Sequence, residues 1–259
     1  MSEAKWDREV DVLVVGTGNG ALTAALCNWE MGTEDVLIIE KTDKVGGTSA
    51  TSGGGIWIPV NHYAKACGAD DSAEDAKKYL MGTLFGEDVP EEMIDTYIEQ
   101  SPKMLKFLAD RTDVIYESLE HYPDYYTNYD GAKSGHRSLE PKPIAMSELG
   151  DDWKNVRWTH HMMRMFSRIH FTQVEAHTIM TQAPGWKSLL AKMILGYVTD
   201  ISWRFRTAID RRLCTGSAGI ARLYLSVKKR GIPLLFNSRM TSLIEDGGRV
   251  TGVAVDYGA

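Results

Sequence analysis

Cysteine is scarce in this chain: Cys27, Cys67 and Cys214 are far apart in 259 residues and form no CxxC pair. An odd, dispersed set argues against a disulfide framework and a thiolate zinc site, and reads as buried small hydrophobes. A surplus of positive charge is lacking too, since 29 Lys and Arg stand against 35 Asp and Glu for a net charge of −6. Without a general basic surface, nucleic acid is not an expected partner. Apolar runs are short, none reaching the roughly 18 residues that a bilayer span requires. The opening MSEAKWDREVD lacks the positive-then-apolar pattern of a signal peptide, so a cytoplasmic location is expected. What remains, 43% hydrophobic and 25% charged, is an ordinary globular composition long enough for one large domain or two small ones.

The clearest signal lies in the first forty residues. VDVLVVG (10–16) is a continuous β-branched run suited to a parallel strand buried on both faces, and it ends at a glycine. GTGNGA follows, then the helical LTAALCNWEMG, then a second buried strand, DVLIIE, that closes on Glu40. The order strand, glycine turn, helix, strand, acid predicts a Rossmann-like α/β unit. Gly16 permits the tight turn, Gly18 lets the backbone approach a pyrophosphate, and Ala21 allows close packing of helix on strand. Asn19 and Gly20 open the helix, whose free N–H groups and positive dipole end face the phosphates. Glu40 stands about 20 residues on, placed to accept ribose hydroxyls.

Which dinucleotide is meant depends on residues 45–59, VGGTSATSGGGIWIP. Gly46, Gly47, Gly53, Gly54 and Gly55 would let a bulky flat ligand lie on bare backbone, while Thr48, Ser49 and Ser52 offer hydroxyls to phosphate, ribityl and ring edges. Glu40-Lys41 followed by GGTSATSGGG resembles the FAD-binding domain of the fumarate reductase and succinate dehydrogenase flavoprotein superfamily. The resemblance implies FAD as cofactor, held by residues 16, 18–21, 40, 41, 46–49 and 52–54.

Within that superfamily, SGGGIWIPVN and YPDYYTNYDGAKSGHRSLEPKPI (122–144) resemble the 3-ketosteroid Δ1-dehydrogenases. The match places Tyr125 where that family has a catalytic tyrosine. The implied reaction takes the C2 proton of a 3-ketosteroid to a tyrosine base and the C1 hydride to flavin N5. A second tyrosine, and the groups that polarise the 3-oxo oxygen, lie in the family downstream of Ala259. Members of the superfamily are also longer, with a substrate-capping domain of which little is expected here. The expectation is therefore one half of a split enzyme completed by a second chain, or a fragment. A fumarate reductase-type or other enone flavoprotein, and a non-catalytic FAD-holding subunit, are the alternative readings.

The chain divides into 1–68 (FAD-binding βαβ and flavin loop), 69–150 (helices and tyrosine loop), 151–212 (a Trp-, Met- and His-rich helical insertion) and 213–259 (the return to the FAD-binding domain). In the insertion, His160, His161, His170 and His177 share no ligand spacing with a carboxylate or cysteine, so no metal is expected. WKSLLAKMILGYV with the following WRFR, within 185–206, is amphipathic with basic and tryptophan flanks, a composition that suits peripheral contact with the cytoplasmic face of a membrane carrying a steroid-like substrate.

Overall fold

The computed structural model describes residues 6–257; residues 1–5, the head of the stretch read for a signal peptide, and residues 258–259 lie outside the described residues. β1 (Val12–Val15), α1 (Asn19–Glu30) and β2 (Val36–Ile39) give the expected opening unit. The segment after β2 is not all loop: it holds a short helix, α2 (Gly47–Thr51), before β3 (Ile56–Trp57). Helices α3 (His62–Ala66), α4 (Ala73–Gly82) and α5 (Glu91–Arg111) lead to β4 (Tyr116–Ser118), β5 (Ser138–Pro141) and β6 (Ile144–Ala145). The insertion contains α6 (Gln173–Met180), α7 (Trp186–Thr199) and α8 (Ile201–Arg204), after 3-10 turns at Met146–Asn155 and His161–Met163. β7 (Arg212–Leu213), α9 (Thr215–Lys229), β8 (Leu234–Leu235) and the hairpin of β9 (Ser238–Asp246) with β10 (Arg249–Tyr257) bring the chain back.

β1 and β2 pair in parallel, Val12 opposite Val36, and β8 joins the other side of β2 with Ile38 opposite Leu234. The sheet order β1-β2-β8 leaves β1 at an edge among the described residues. This corrects the expectation of a doubly buried first strand, since Val14 is buried but Val15 is 46% exposed.

α9 is the centre of the core. Ala218, Ile220, Ala221, Tyr224 and Val227 are buried, and the helix packs on both α1 and α2. Burying each large aliphatic side chain contributes about 1.5–3 kcal/mol. α4 and α5 follow their apolar periodicity, with Ala76 against Ile94 and Ile98 in a satellite cluster. Ser72 caps α4 by accepting the Asp75 N–H at 3.1 Å.

The insertion is tied to the rest by a buried carboxylate. Glu140 accepts the Gln173 N–H at 2.7 Å and the Val174 N–H at 3.4 Å, the first donors of α6. Burial pushes its carboxyl above the usual range. Of the insertion's aromatic flanks, Trp203 is not an outward anchor: it is 2% exposed and packs on Trp153 with ring centroids 5.4 Å apart. The cysteines are all free, but only Cys214 is buried; Cys67 is exposed, contrary to its reading as core. Among the described residues no helix is long and apolar enough to cross a membrane, and no three metal-ligating side chains converge.

Candidate functional site

β1 runs into Gly16, whose φ of +96° favours glycine. α1 then starts at Gly18 with no side-chain cap. Asn19 N–H donates to Ser49 Oγ at 3.2 Å, which binds α2 to the start of α1. The N–H groups of Gly18, Gly20 and Ala21 meet no acceptor among the described residues. Three free donors at the positive end of a 12-residue helix make a seat for an anion.

Glu40 closes the far side of this seat and is 6% exposed. Its Oε1 accepts the Thr42 N–H at 3.0 Å and the Thr42 hydroxyl at 3.2 Å, and its Oε2 accepts the Thr17 hydroxyl. Thr17 Oγ1 in turn accepts the Gly46 N–H at 3.1 Å. The carboxylate is thereby fixed, while Oε2 keeps a lone pair for another donor. Thr17 was not singled out by sequence reasoning; its only signal is a hydroxyl residue between the glycines of GTG.

The glycines divide by function. A Cβ built on Gly20, Gly47 or Gly53 meets nothing within 4 Å, so bare backbone borders open space there. At Gly46 a Cβ would lie 2.9 Å from Ile220 Cγ2, and at Gly54 2.4 Å from Gly216 N. In the protein alone, these two glycines admit α9 against the loop. Lys41 and Thr48 are exposed beside the seat. The Ser52 hydroxyl is engaged within the loop, donating to Ser49 O at 2.8 Å and accepting the Gly54 N–H at 3.1 Å.

Tyr125 stands apart from this seat, at the mouth of a cavity of about 280 Å³. The same cavity is lined by Gly55, Ile56 and Trp57 from the end of the glycine segment, so the two regions meet there. Tyr126 packs edge-on against Phe85 with centroids 5.3 Å apart and lies 5.4 Å from Tyr129, whereas Tyr125 is 83% exposed. The hydrogen bond to Tyr125 raises the Tyr122 phenol above its ordinary value, and burial adds to the shift.

Beneath the tyrosines lies a charged cluster that sequence reasoning missed as such. Arg137 Nη1 donates to Asp124 Oδ2 at 2.8 Å and Nη2 to Asp71 Oδ1 at 2.7 Å, and Trp57 Nε1 donates to Asp124 Oδ1 at 2.6 Å. Asp124 and Arg137 are the acid and base of the Pro-Asp-Tyr and Gly-His-Arg elements, so the signal was present in the motifs without the pairing.

Residues 11–257 match the model of the FAD binding domain family. The chain belongs to that family. Its cofactor is FAD. A 3-oxosteroid 1-dehydrogenase of Comamonas testosteroni is 32% identical over 252 residues, covering 96% of this chain and 44% of the relative. A 4-oxocyclohexanecarboxylate 2-dehydrogenase of Sinomonas cyclohexanicum is also 32% identical, covering 96% of this chain and 40% of that protein. The crystal structure of a 3-ketosteroid Δ1-dehydrogenase from Sterolibacterium denitrificans in complex with 1,4-androstadiene-3,17-dione superposes with a TM-score of 0.88 at 36% identity, over 95% of this chain and 44% of that one. The chain thus spans less than half the length of the relatives it matches.

The residues expected to bind FAD suit that cofactor on observations from this structure. Among the described residues the N–H groups of Gly18, Gly20 and Ala21 have no acceptor, Asn19 Oδ1 is buried without a partner, and Gly20, Gly47 and Gly53 leave the space of a side chain open.

Proposed function

We propose that this FAD-domain chain takes part in the α,β-desaturation of a ring ketone, most specifically the Δ1-dehydrogenation of 3-ketosteroids. The observation that carries the reading is the shared cavity, in which the end of the FAD loop (Gly55–Trp57) faces the tyrosine loop (Tyr122–Tyr126). FAD, when bound, would supply the acceptor for the hydride that leaves C1 of the steroid.

The start of α1 would hold the pyrophosphate, Glu40 with Lys41 the ribose, and residues 46–49 and 52–54 the ribityl and ring portion. Tyr125 takes the C2 proton, which the neighbouring carbonyl acidifies. A phenol with a pKa near 10 is a weak base at neutral pH and needs a hydrogen bond to its anion. Tyr122, hydrogen-bonded to Tyr125, is placed to donate that bond. A dicarboxylate substrate would call for a cation in the cavity. Its lining, which includes Leu80, Leu119, Tyr79 and Gln173, contains no lysine or arginine, and this favours a neutral ketone.

The free edge of β1 and exposed Val15 support a second chain, or further polypeptide, completing the sheet and substrate site. Peripheral contact with the cytoplasmic face of a membrane through 185–206 is supported by α7, which has no buried residue, and by the exposure of Leu195, Val198, Ile201 and Phe205. Lys187 and Lys192 flank that face. Leu195→Asp with Val198→Asp is expected to lower cosedimentation with vesicles of anionic phospholipid by about tenfold or more, since each buried side chain contributes about 1.5–3 kcal/mol. Unchanged cosedimentation would remove this contact from the account.

The function is tested by adding androst-4-ene-3,17-dione to the FAD-loaded protein without oxygen. Loss of the yellow absorbance with formation of the 1,4-diene supports the reading. Bleaching by fumarate's reduced counterpart, succinate, would favour the dicarboxylate alternative. Flavin that stays yellow with every ketone, alone and with any copurifying chain, would leave a cofactor-holding subunit.

A further inference from the structure

We infer that Arg137 is a positioning residue for the proton transfer assigned to Tyr125, acting through Asp124; this rests on the reading of Tyr125 above. Arg137 is 1% exposed and sits between two carboxylates, Asp71 and Asp124. A buried ion cluster is a poor device for stability alone, because apolar residues of similar volume often serve as well or better. What it supplies is directional, and here one arm leads to the tyrosine loop through Asp124 and the other to the segment after Trp57 through Asp71.

Asp124 is the residue before Tyr125 and is held by donors from three places. Arg137 Nη1 approaches at 2.8 Å, Trp57 Nε1 at 2.6 Å and the Lys133 N–H at 2.9 Å. Tyr126, the residue after Tyr125, donates its N–H to the Tyr79 hydroxyl at 3.3 Å. The Arg137 guanidinium lies over both Trp57 and Tyr79, 5.5 and 5.8 Å from their ring centroids. Both neighbours of Tyr125 are therefore anchored to groups that Arg137 touches, while the Tyr125 side chain is largely exposed and bonded only to Tyr122 of the same loop.

The other end of the cluster reaches the cofactor side. Trp57 closes the segment that begins at the FAD loop, and Asp71, bound to Arg137 Nη2 at 2.7 Å, also accepts the Val60 N–H at 2.8 Å just beyond it. Arg137 thus fixes the tyrosine loop relative to the segment on which the ring ketone would lie. An exposed tyrosine on an irregular loop has no packing of its own to set its position. Misplacement by about 1 Å can cost about 100-fold in rate.

The test places 3-fluorotyrosine at position 125 and records its fluorine resonance in the FAD-loaded protein, in Arg137→Lys and in Trp57→Phe. Turnover of androst-4-ene-3,17-dione is measured for the same substitutions with tyrosine at 125. The expected result for Arg137→Lys is a resonance shifted toward free 3-fluorotyrosine, with kcat lowered about 10- to 100-fold and KM and FAD content within about twofold. Trp57→Phe keeps the ring and removes one donor to Asp124, so its shift is in the same direction and smaller. An unmoved resonance in both variants overturns the inference, as does a kcat loss that only follows loss of FAD. If Arg137→Lys does not fold, Trp57→Phe decides by the same resonance. Failure of the parent reading is distinguishable: Tyr125→Phe would then keep its rate, whatever the fluorine signal shows.

Discussion

Tyr125→Phe is expected to slow steroid-dependent reduction of the protein by about 10²- to 10⁴-fold, the range that a positioned general base contributes. FAD content and melting temperature should not change, because the side chain is 83% exposed and supports no core packing. Surface substitutions of this kind usually alter stability by no more than about 0.5 kcal/mol. Tyr126→Phe is the control. Its ring packs with Phe85 and Tyr129, and loss of its hydroxyl should change the rate by less than about threefold. Anaerobic stopped-flow absorbance measures both. Equal losses at the two positions would mean that the loop packs or caps the cavity without taking a proton.

Gly216→Ala is expected to damage the FAD domain through a single added methyl group. Its Cβ would lie 2.1 Å from Ser49 O and 2.8 Å from Ser52 O, and backbone cannot swing away. Overpacking costs about 1–3 kcal/mol. At about 2–4 °C per kcal/mol for a chain of this size, the melting temperature should fall by about 2–12 °C. The same shift would carry Ser49 away from the Asn19 N–H, so FAD affinity should fall by about tenfold or more, the equivalent of one hydrogen bond. Gly196→Ala, in the middle of α7 with nothing within 4 Å of its Cβ, should instead leave FAD binding alone and stabilise slightly. Differential scanning fluorimetry with an FAD titration distinguishes the two. A Gly216→Ala protein that melts and binds like the parent would refute the assigned contact of α2 with α9.

The two variants mark the boundary of what was legible in the sequence. The βαβ opening was readable because its strands are continuous apolar runs and Gly16 sits where the turn requires positive φ. α4 and α5 were readable from periodic apolar faces and acidic first turns, whereas α9 and the final hairpin followed from the family resemblance of residues 215–253. The role of Gly46 and Gly54 was not readable, because their neighbour, α9, lies more than 160 residues away in sequence. The same holds for Arg137 and Asp71, paired across 66 positions, and for Trp203, which looked like a membrane-facing flank until Trp153 covered it. Tyr125 was named from its motif. Its separation from the packed tyrosines beside it is set by tertiary packing around Phe85 and Tyr129.

The central claim is that FAD lies against the bare backbone at the start of α1. It is tested most directly by titrating FAD into the apo protein and into Gly18→Ala. Gly18 has φ −70°, open to any residue, and an added Cβ would meet only Ser49 Oγ, at an ordinary 3.4 Å. The substitution therefore leaves the apo fold undisturbed and intrudes only where a pyrophosphate would approach. The account expects an unchanged apo melting temperature and FAD affinity lowered by about tenfold or more. Equal affinity in the two proteins would contradict it and place the cofactor elsewhere.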